Sequence, residues 1–293
     1  EKSPWRFLAW ELAGLLERRL GNNAAADQWF KKILHDEKAP KTIAALKKLG
    51  VQFDHDLARE GGHSENRILH SKDETGKIIE EALIKKIKQN RKIKIWENAS
   101  LLNLITDKKS LQGVLIRKNK KTISIFTKAA ILCTGGAGQI YEHTTNPKES
   151  TGDGIAIAAA AGAKLQNMEF IQFHPTAFEK KENGRHFLLS EALRGEGAIL
   201  LNHSMQRFTD ELAPRDKVSY AIYEEQKKGP VFLKFIKKNE TKNSARQSGK
   251  KRFPAISKYL QNHGYDLEKD LIPITPVAHY LCGGISVNLK SET

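Results

Sequence analysis

Cysteine, methionine and long apolar runs are scarce in this 293-residue chain. The two cysteines, Cys133 and Cys282, lack the spacing of a metal cluster or a disulfide framework, so we expect buried thiols in a reducing compartment. The longest apolar stretch, residues 155–163, is mostly alanine and shorter than the roughly 18 residues that a membrane helix needs. We therefore expect a cytoplasmic protein with no signal peptide and no membrane span. Because the first residue is Glu1 rather than Met, we also expect a processed product or a fragment.

Acidic residues are few relative to basic ones, which leaves a formal net charge of +15. Such a charge can indicate a nucleic-acid partner. However, the lysines are spread along the chain, and no zinc, recognition-helix or aromatic RNA-binding signature accompanies them. We expect no nucleic-acid partner, and a basic field of this kind would attract a small acidic molecule.

The chain also lacks a Gly-x-Gly-x-x-Gly fingerprint, with which many α/β proteins hold a pyrophosphate. A different glycine turn, residues 135–138, follows the unbroken apolar run of residues 129–133, and this pattern predicts a strand buried on both faces. The glycines admit either a tight turn or the close approach of a nucleotide. Gly152-Asp153-Gly154 then begins an alanine-rich helix, where Asp153 either caps the helix or lies beside a ribose or pyrophosphate.

Hydrophobic periodicity predicts the remaining elements. Helices are predicted at residues 4–48, 75–90 and 252–262. Strands are predicted at residues 93–96, 111–117 and 122–127, and an extended segment leads from Pro273 to His279. The lysine-rich segment 227–252 is predicted to be an exposed, poorly ordered loop.

Four polar motifs concentrate in the second half of the chain. They are His174-Pro175-Thr176, residues 190–197 (SEALRGEG), residues 213–216 (APRD) and residues 278–284 (AHYLCGG). Two histidines, two arginines, a hydroxyl and several carboxylates suit the binding of a small dianion and the movement of a proton near it. Taken singly, each residue also has a structural interpretation: Arg215 pairs with Asp216 or Glu211, and Arg194 with Glu191 or Glu196.

Together these motifs resemble the L-aspartate oxidase family. Further matching strings are residues 60–64 (EGGHS), 67–70 (RILH), 73–76 (DETG), 134–138 (TGGAG), 144–147 (TTNP), 151–154 (TGDG), 169–176 (EFIQFHPT) and 211–216 (ELAPRD). The resemblance extends from about residue 40 to the C-terminus. Succinate dehydrogenase and fumarate reductase flavoproteins are wider relatives that share the His-Pro-Thr and Arg-Gly-Glu-Gly elements.

The resemblance implies an FAD enzyme that oxidises L-aspartate, a small dicarboxylate, to iminoaspartate in the synthesis of quinolinate and NAD. Dioxygen or fumarate would reoxidise the flavin, and quinolinate synthase is an implied partner. No metal is implied.

The resemblance also assigns roles to residues. Arg215 would be the catalytic proton donor or acceptor, and Glu60 would lie near the substrate ammonium, where a carboxylate suits an amino acid and repels succinate. The other implied substrate-binding residues are His174, Ser190, Glu191, Arg194 and His279. The implied cofactor-binding residues are Ser100, Leu101, Thr134, Gly135, Gly136 and Asp153.

The implied fold class is α/β, with a partial Rossmann-type FAD-binding domain and an inserted α+β capping domain. The expected bounds are 1–168 for the FAD-binding part, 169–280 for the capping domain and 281–293 for a return segment. Because the glycine fingerprint is absent, we expect the isolated chain to bind FAD weakly or not at all. Two alternatives stay open: a fumarate reductase or succinate dehydrogenase-like subunit, and a non-catalytic remnant or partner-dependent fragment.

Overall fold

The computed structural model of the chain forms two compact units, one of residues 1–52 and 76–91 and the other of residues 53–75 and 92–293. The residues that the structure describes are 28, 42–54, 57–58, 68–107, 110–236 and 249–293. The helices predicted over residues 4–41 lie almost wholly outside these ranges, as does Glu60.

Two helices dominate the described part of the first unit. They are α1 (Thr42–Lys48) and α2 (Thr75–Gln89), and α2 confirms the helix predicted at residues 75–90. Lys86 and Lys88 lie in the last turn of α2, where positive charge complements the negative end of the helix dipole.

The second unit contains a two-stranded pair and a three-stranded antiparallel meander. The pair joins β1 (Leu57–Ala58) to β2 (Ile68–Leu69). The meander strands are β3 (Ala99–Asp107), β4 (Ser110–Lys118) and β5 (Lys121–Phe126). They confirm the strands predicted at residues 111–117 and 122–127, whereas β3 has no counterpart in the prediction because a register shift between Leu101 and Asn103 interrupts its alternation.

A five-stranded antiparallel sheet in the order β8-β7-β11-β10-β9 forms the centre of the second unit. Its strands are β7 (Ile171–Glu182), β8 (Arg185–Leu188), β9 (Ile199–Leu201), β10 (Phe232–Lys234) and β11 (Ile272–Leu281). A short pair of β6 (Leu165–Gln166) and β12 (Gly284–Ile285) lies outside this sheet. Strand β11 confirms the extended segment predicted before His279.

Helices complete the second unit. They are α3 (Asp153–Ala160), α4 (Ala192–Gly195), α5 (Arg215–Gln226), α6 (Gly249–Arg252) and α7 (Pro254–Asn262). Helix α5 packs against β7 and β11. The main core includes Leu193, Leu200, Ile222, Leu233, Phe253 and Leu260, each 0% exposed. Full burial of one such side chain contributes about 1.5–3 kcal/mol, so this core stabilises the sheet that positions the polar motifs.

Several predicted elements are wrong. Residues 93–96 and 129–134 are not strands, and Ile131 is 90% exposed. A strand of a parallel sheet needs neighbours on both sides for its backbone hydrogen bonds, and no strand in the described ranges pairs with residues 129–134. The expected burial of the two thiols is also wrong, since Cys133 and Cys282 are both exposed and free. The loop predicted at 227–252 contains β10 and α6, and its central residues 237–248 lie outside the described ranges.

The architecture confirms the mixed α/β class. The domain boundaries after residues 168 and 280 stay a prediction. No helix in the described segments combines the length and apolar content that a membrane crossing requires.

Candidate functional site

The two histidines of the polar motifs lie side by side on neighbouring strands. Strand β7 pairs with β11 in the register Val277 to His174 and Ala278 to Phe173, with irregularities that flank this stretch of β11. Such irregularities re-aim side chains. The ring centroids of His174 and His279 are 5.2 Å apart at an angle of 61°. The sheet therefore brings together residues that are more than one hundred positions apart in sequence.

His174 is buried and uncharged. Burial, followed by the nearby positive charge of Arg215, holds its pKa well below the usual value of 6.5. Its Nδ1 accepts a hydrogen bond of 3.2 Å from the backbone N–H of Thr176, so the ring proton lies on Nε2. The His-Pro-Thr motif thus sets both the position and the tautomer of this ring.

His279 is held by a different segment. Its Nδ1 lies 2.7 Å from Oγ1 of Thr145. Burial and the positive charge of Arg215 lower its pKa, although Glu191 opposes this effect. At neutral pH both rings are therefore neutral hydrogen-bonding groups rather than cations.

Glu191 joins the two arginines of the motifs. Its Oε2 accepts bonds from Arg215 Nε (2.7 Å) and Arg215 Nη2 (2.6 Å), and its Oε1 lies 3.1 Å from Arg194 Nη2. Arg215 also donates from Nη1 to Oε1 of Gln172, at 2.8 Å. Arg215 thus pairs with Glu191 and Gln172. The alternative prediction, in which Arg215 pairs with Asp216 or Glu211, is wrong.

Arg194 is fully buried, with its side chain 0% exposed. Burial lowers its pKa, while the Glu191 carboxylate acts in the opposite direction. Its Nη1 donates to the backbone carbonyl of Glu211 at 2.5 Å, and the Glu211 carboxylate binds Arg207 at 2.6 Å. A buried guanidinium stays charged only when it is paired in this way. Arg194 therefore holds the Glu191 carboxylate in a fixed position. Of the two partners expected for Arg194, the structure selects Glu191.

Arg215 begins helix α5 directly after Pro214 and lines a cavity of about 1320 Å³. Its side chain is 26% exposed, in contrast to the 4% of Glu191. The positive end of the α5 dipole lies beside this guanidinium, and the Glu191 carboxylate offsets the repulsion. Arg215 and Glu191 both line the cavity, and Arg215 is the more exposed of the two. His174, Ser190, Arg194 and His279 are not among the residues that line it. Other lining residues include Tyr141, His143, Gln172, Phe173, Tyr220 and Tyr223.

Ser190 precedes Glu191 and is half-buried. Its Oγ accepts a hydrogen bond of 3.3 Å from the N–H of Ala192 at the start of α4. The hydroxyl hydrogen remains available for donation to a neighbouring group.

Three of the six predicted cofactor residues fall on two elements that contact each other, β3 and α3, and the other three, Thr134, Gly135 and Gly136, lie in a loop. Ser100 and Leu101 lie on β3, and Asp153 is the first residue of α3. The helix cap is Gly152, and Asp153 makes no capping bond, so the capping interpretation of Asp153 is wrong.

The glycine turn packs tightly on the start of α3. A Cβ at Gly154 would overlap the side chain of Thr134, and one at Gly152 would lie 3.0 Å from the Ala137 side chain. Thr134, Gly135 and Asp153 are themselves exposed. An open peptide surface with a hydroxyl, next to the first N–H groups of an eight-residue helix, fits a polar ring edge or sugar of a dinucleotide cofactor.

Two contact residues of the site were missed by the sequence reasoning. Gln172 lies two positions before His174 on β7 and could have been found from that spacing, because alternate strand residues share a face. Thr145 carries no such signal, since its distance from His279 in sequence is 134 residues. In the described ranges no cluster of three metal-ligating side chains occurs.

Comparison of the sequence with known proteins identifies a family for this chain. The family model described as "FAD binding domain" matches residues 17–293. The chain is 40% identical over 269 residues to an L-aspartate oxidase of Clostridium acetobutylicum, covering 89% of this chain and 61% of that protein. It is 38% identical over 285 residues to a chloroplastic L-aspartate oxidase of Oryza sativa, covering 87% of this chain and 43% of that protein.

Solved fumarate reductases also superpose on the chain. A quinol-fumarate reductase with menaquinol molecules superposes with a TM-score of 0.74 at 28% identity, over 86% of this chain and 48% of its own. A quinol fumarate reductase of E. coli superposes with a TM-score of 0.76 at 26% identity, over 100% of this chain and 53% of its own. The sequence identity of 38–40% to L-aspartate oxidases confirms the predicted resemblance to that family.

The chain spans about three fifths or less of the curated relatives that it matches. The family match itself covers most of the chain and includes the site described above. This chain belongs to the FAD-binding domain family, and its cofactor is FAD.

Proposed function

We propose that this chain forms the substrate-binding part of an L-aspartate oxidase, which converts L-aspartate to iminoaspartate for quinolinate and NAD synthesis. The observation that supports this is the network in which one carboxylate, Glu191, joins a fully buried Arg194 to the cavity-lining Arg215. The similarity to L-aspartate oxidases agrees with it. Dioxygen or fumarate would be the final electron acceptor, quinolinate synthase a partner, and the cytoplasm the location.

The charges of the network favour a dicarboxylate. Within the network, two guanidinium groups meet one carboxylate, so the network itself has an excess positive charge, although Glu142, Glu169 and Asp216 also line the cavity. The neutral rings of His174 and His279 add hydrogen-bond donors without adding charge. One substrate carboxylate would bind Arg215, and the other would accept from the imidazoles and from Ser190.

Arg215 would donate or accept the proton at the substrate carbon. A guanidinium is a poor base in water because its pKa exceeds about 12, so the role requires a partner that stabilises the change. Glu191 holds both Nε and Nη2 of Arg215 and is itself held by Arg194, so a proton can pass along this carboxylate while the geometry stays fixed.

FAD, when bound, would supply an acceptor for the hydride that leaves the substrate carbon. The residues that would hold it are Ser100, Leu101, Thr134, Gly135, Gly136 and Asp153. They fit the group through their exposure and through the open peptide surface of the glycine turn.

A fumarate reductase-like function is the second candidate, because solved fumarate reductases superpose on the chain. Glu60 separates the two, since a carboxylate suits the ammonium of aspartate and repels a bare dianion. In protein that contains the whole chain and is supplied with FAD, Glu60→Gln should lower kcat/KM for L-aspartate at least tenfold and leave succinate oxidation unchanged. Equal loss with both substrates, or turnover of succinate alone, would contradict the aspartate assignment.

A further inference from the structure

The Thr-Thr-Asn motif at residues 144–146 has no role in the function proposed above. In the structure this segment lies along β11 at the site. Thr144 forms a parallel bridge with Ala278, and the Ala278 N–H donates to the His143 carbonyl at 2.8 Å. Asn146 Nδ2 donates to the backbone carbonyl of His279 at 2.7 Å. The motif is therefore attached to the backbone on both sides of the His279 side chain.

The position of Asn146 explains why residue 138 is a glycine. A Cβ at Gly138 would overlap the side chain of Asn146, so a larger residue there would displace the amide from His279. Gln139 Nε2 also donates to the carbonyl of Asn146 at 2.7 Å. The glycine turn thus supports the motif, and the motif supports His279.

Thr145 contacts the imidazole itself, with Oγ1 at 2.7 Å from Nδ1. A neutral imidazole either donates or accepts at Nδ1, so this contact is compatible with both tautomers. When the Thr145 hydroxyl donates, Nδ1 accepts and the ring proton lies on Nε2.

His174 carries its ring proton on Nε2 because of a different contact, in which the Thr176 N–H donates to its Nδ1. Neither Nε2 has a hydrogen-bond partner among the residues with described side chains, although His174 is 1% exposed. His174 thus has a free Nε2–H donor, and His279 has one when the Thr145 hydroxyl donates to its Nδ1. A carboxylate ligand requires donors, since the other tautomer would direct a lone pair at it.

We infer that Thr145 is a positioning residue that locks His279 in the Nε2–H tautomer, so that His174 and His279 form a matched pair of neutral donors for one carboxylate. The tautomer of His279 can be measured on the chain itself, without a substrate. The purpose given to it, binding of a dicarboxylate, rests on the proposed function.

Thr145→Val tests the inference, because valine keeps the shape and removes the hydroxyl. Two-bond 15N–1H correlation spectra of the histidine rings report the tautomer, and the His279→Asn spectrum assigns the signal. We expect His279 to carry its proton on Nε2 in the wild-type protein and in Thr145→Ser. In Thr145→Val we expect a mixture or the Nδ1–H form.

Thr144→Val is the matched control. It removes a neighbouring hydroxyl that donates to the Ala278 carbonyl at 2.9 Å and does not contact the ring. It should lower the thermal midpoint of unfolding and leave the His279 tautomer unchanged. If Thr144→Val and Thr145→Val change the spectrum alike, or if Thr145→Val keeps the Nε2–H form, the inference is wrong.

L-Aspartate affinity provides the second readout, since both carboxylates of L-aspartate would contact the site. Thr145→Val should weaken this affinity roughly tenfold, and Thr145→Ser should restore it, because the lost hydrogen bond is one to a charged group. Failure of the wild-type protein to bind L-aspartate would count against the proposed function, while the tautomer result would still decide the role of Thr145. Unchanged L-aspartate affinity in Thr145→Val with a changed tautomer would overturn the matched-donor role.

Discussion

The five-stranded sheet and the meander region contain similar apolar sequences but use them differently. In the sheet region, Leu200, Leu233 and Phe253 are fully buried, whereas in the region of residues 92–140 Phe126 is 79% and Ile131 90% exposed. Helix α5 packs against β7 and β11 of the sheet, and the inner strands β7, β11 and β10 each pair with two neighbours. An apolar run becomes core only where partner strands and helices cover it, and the polar network of the site lies in the region where this cover exists.

The largest expected effect concerns activity. Arg215→Gln should lower kcat for L-aspartate by about 10²–10⁴-fold, because it removes the proton-transferring group from the cavity. Lys121→Gln, an exposed change in β5 of the meander, is the control and should leave kcat within twofold. Steady-state kinetics of FAD-supplied protein measure both. A small loss in Arg215→Gln would show that the network of the sheet region binds without transferring a proton.

The next effect tests the packing difference directly. Phe253→Ala should lower the free energy of unfolding by about 3–5 kcal/mol, because it leaves a cavity in the main core. Phe126→Ala should change it by less than about 0.5 kcal/mol, because the ring is mostly exposed. Urea unfolding followed by fluorescence gives both values. Equal losses would mean that Phe126 is covered in solution and that the two regions do not differ.

A smaller effect concerns the glycine turn. Gly154→Ala should destabilise the protein by about 1–3 kcal/mol, since the new Cβ would overlap Thr134 and force α3 away from the turn. Gly76→Ala is the matched control, because a Cβ there meets nothing within 4 Å. Gly76→Ala should be neutral or slightly stabilising. FAD affinity should fall only in Gly154→Ala if this turn holds the cofactor.

The smallest effect is a pH dependence. Burial holds the pKa of His174 well below 6.5, so the unfolded chain binds this proton more readily than the folded one. The stability due to the neutral ring is therefore complete above about pH 6.5 and is lost as the pH falls toward the folded pKa, by at most about 1.4 kcal/mol per pH unit.

His174→Asn should reduce this slope by up to about 1.4 kcal/mol per pH unit, which corresponds to one proton. Urea midpoints between pH 5 and pH 7.5 provide the slopes. An identical slope in wild-type protein and in His174→Asn would show that His174 is accessible to protons in the folded state.

The sequence alone named most residues of the candidate site. Arg215, Glu191, Arg194, His174 and His279 lie within short motifs, and the structure brings them into one cluster. Helices α2, α3 and α7 and strands β4, β5 and β11 were also predictable, since hydrophobic periodicity and turn residues depend on neighbours within about ten positions.

Only the tertiary structure decided the pairings. Arg215 has acidic neighbours at Asp216 and Glu211, yet its partner is Glu191, because α5 packs across β7 and presents the guanidinium to the start of α4. The apolar run of residues 129–133 predicts a buried strand. Burial of a strand depends on its neighbouring strands, however, and the local sequence does not show whether these are present. Thr145 meets His279 only because the chain returns through β11. The residue types determined which chemistry was available, and long-range strand pairing determined which groups meet.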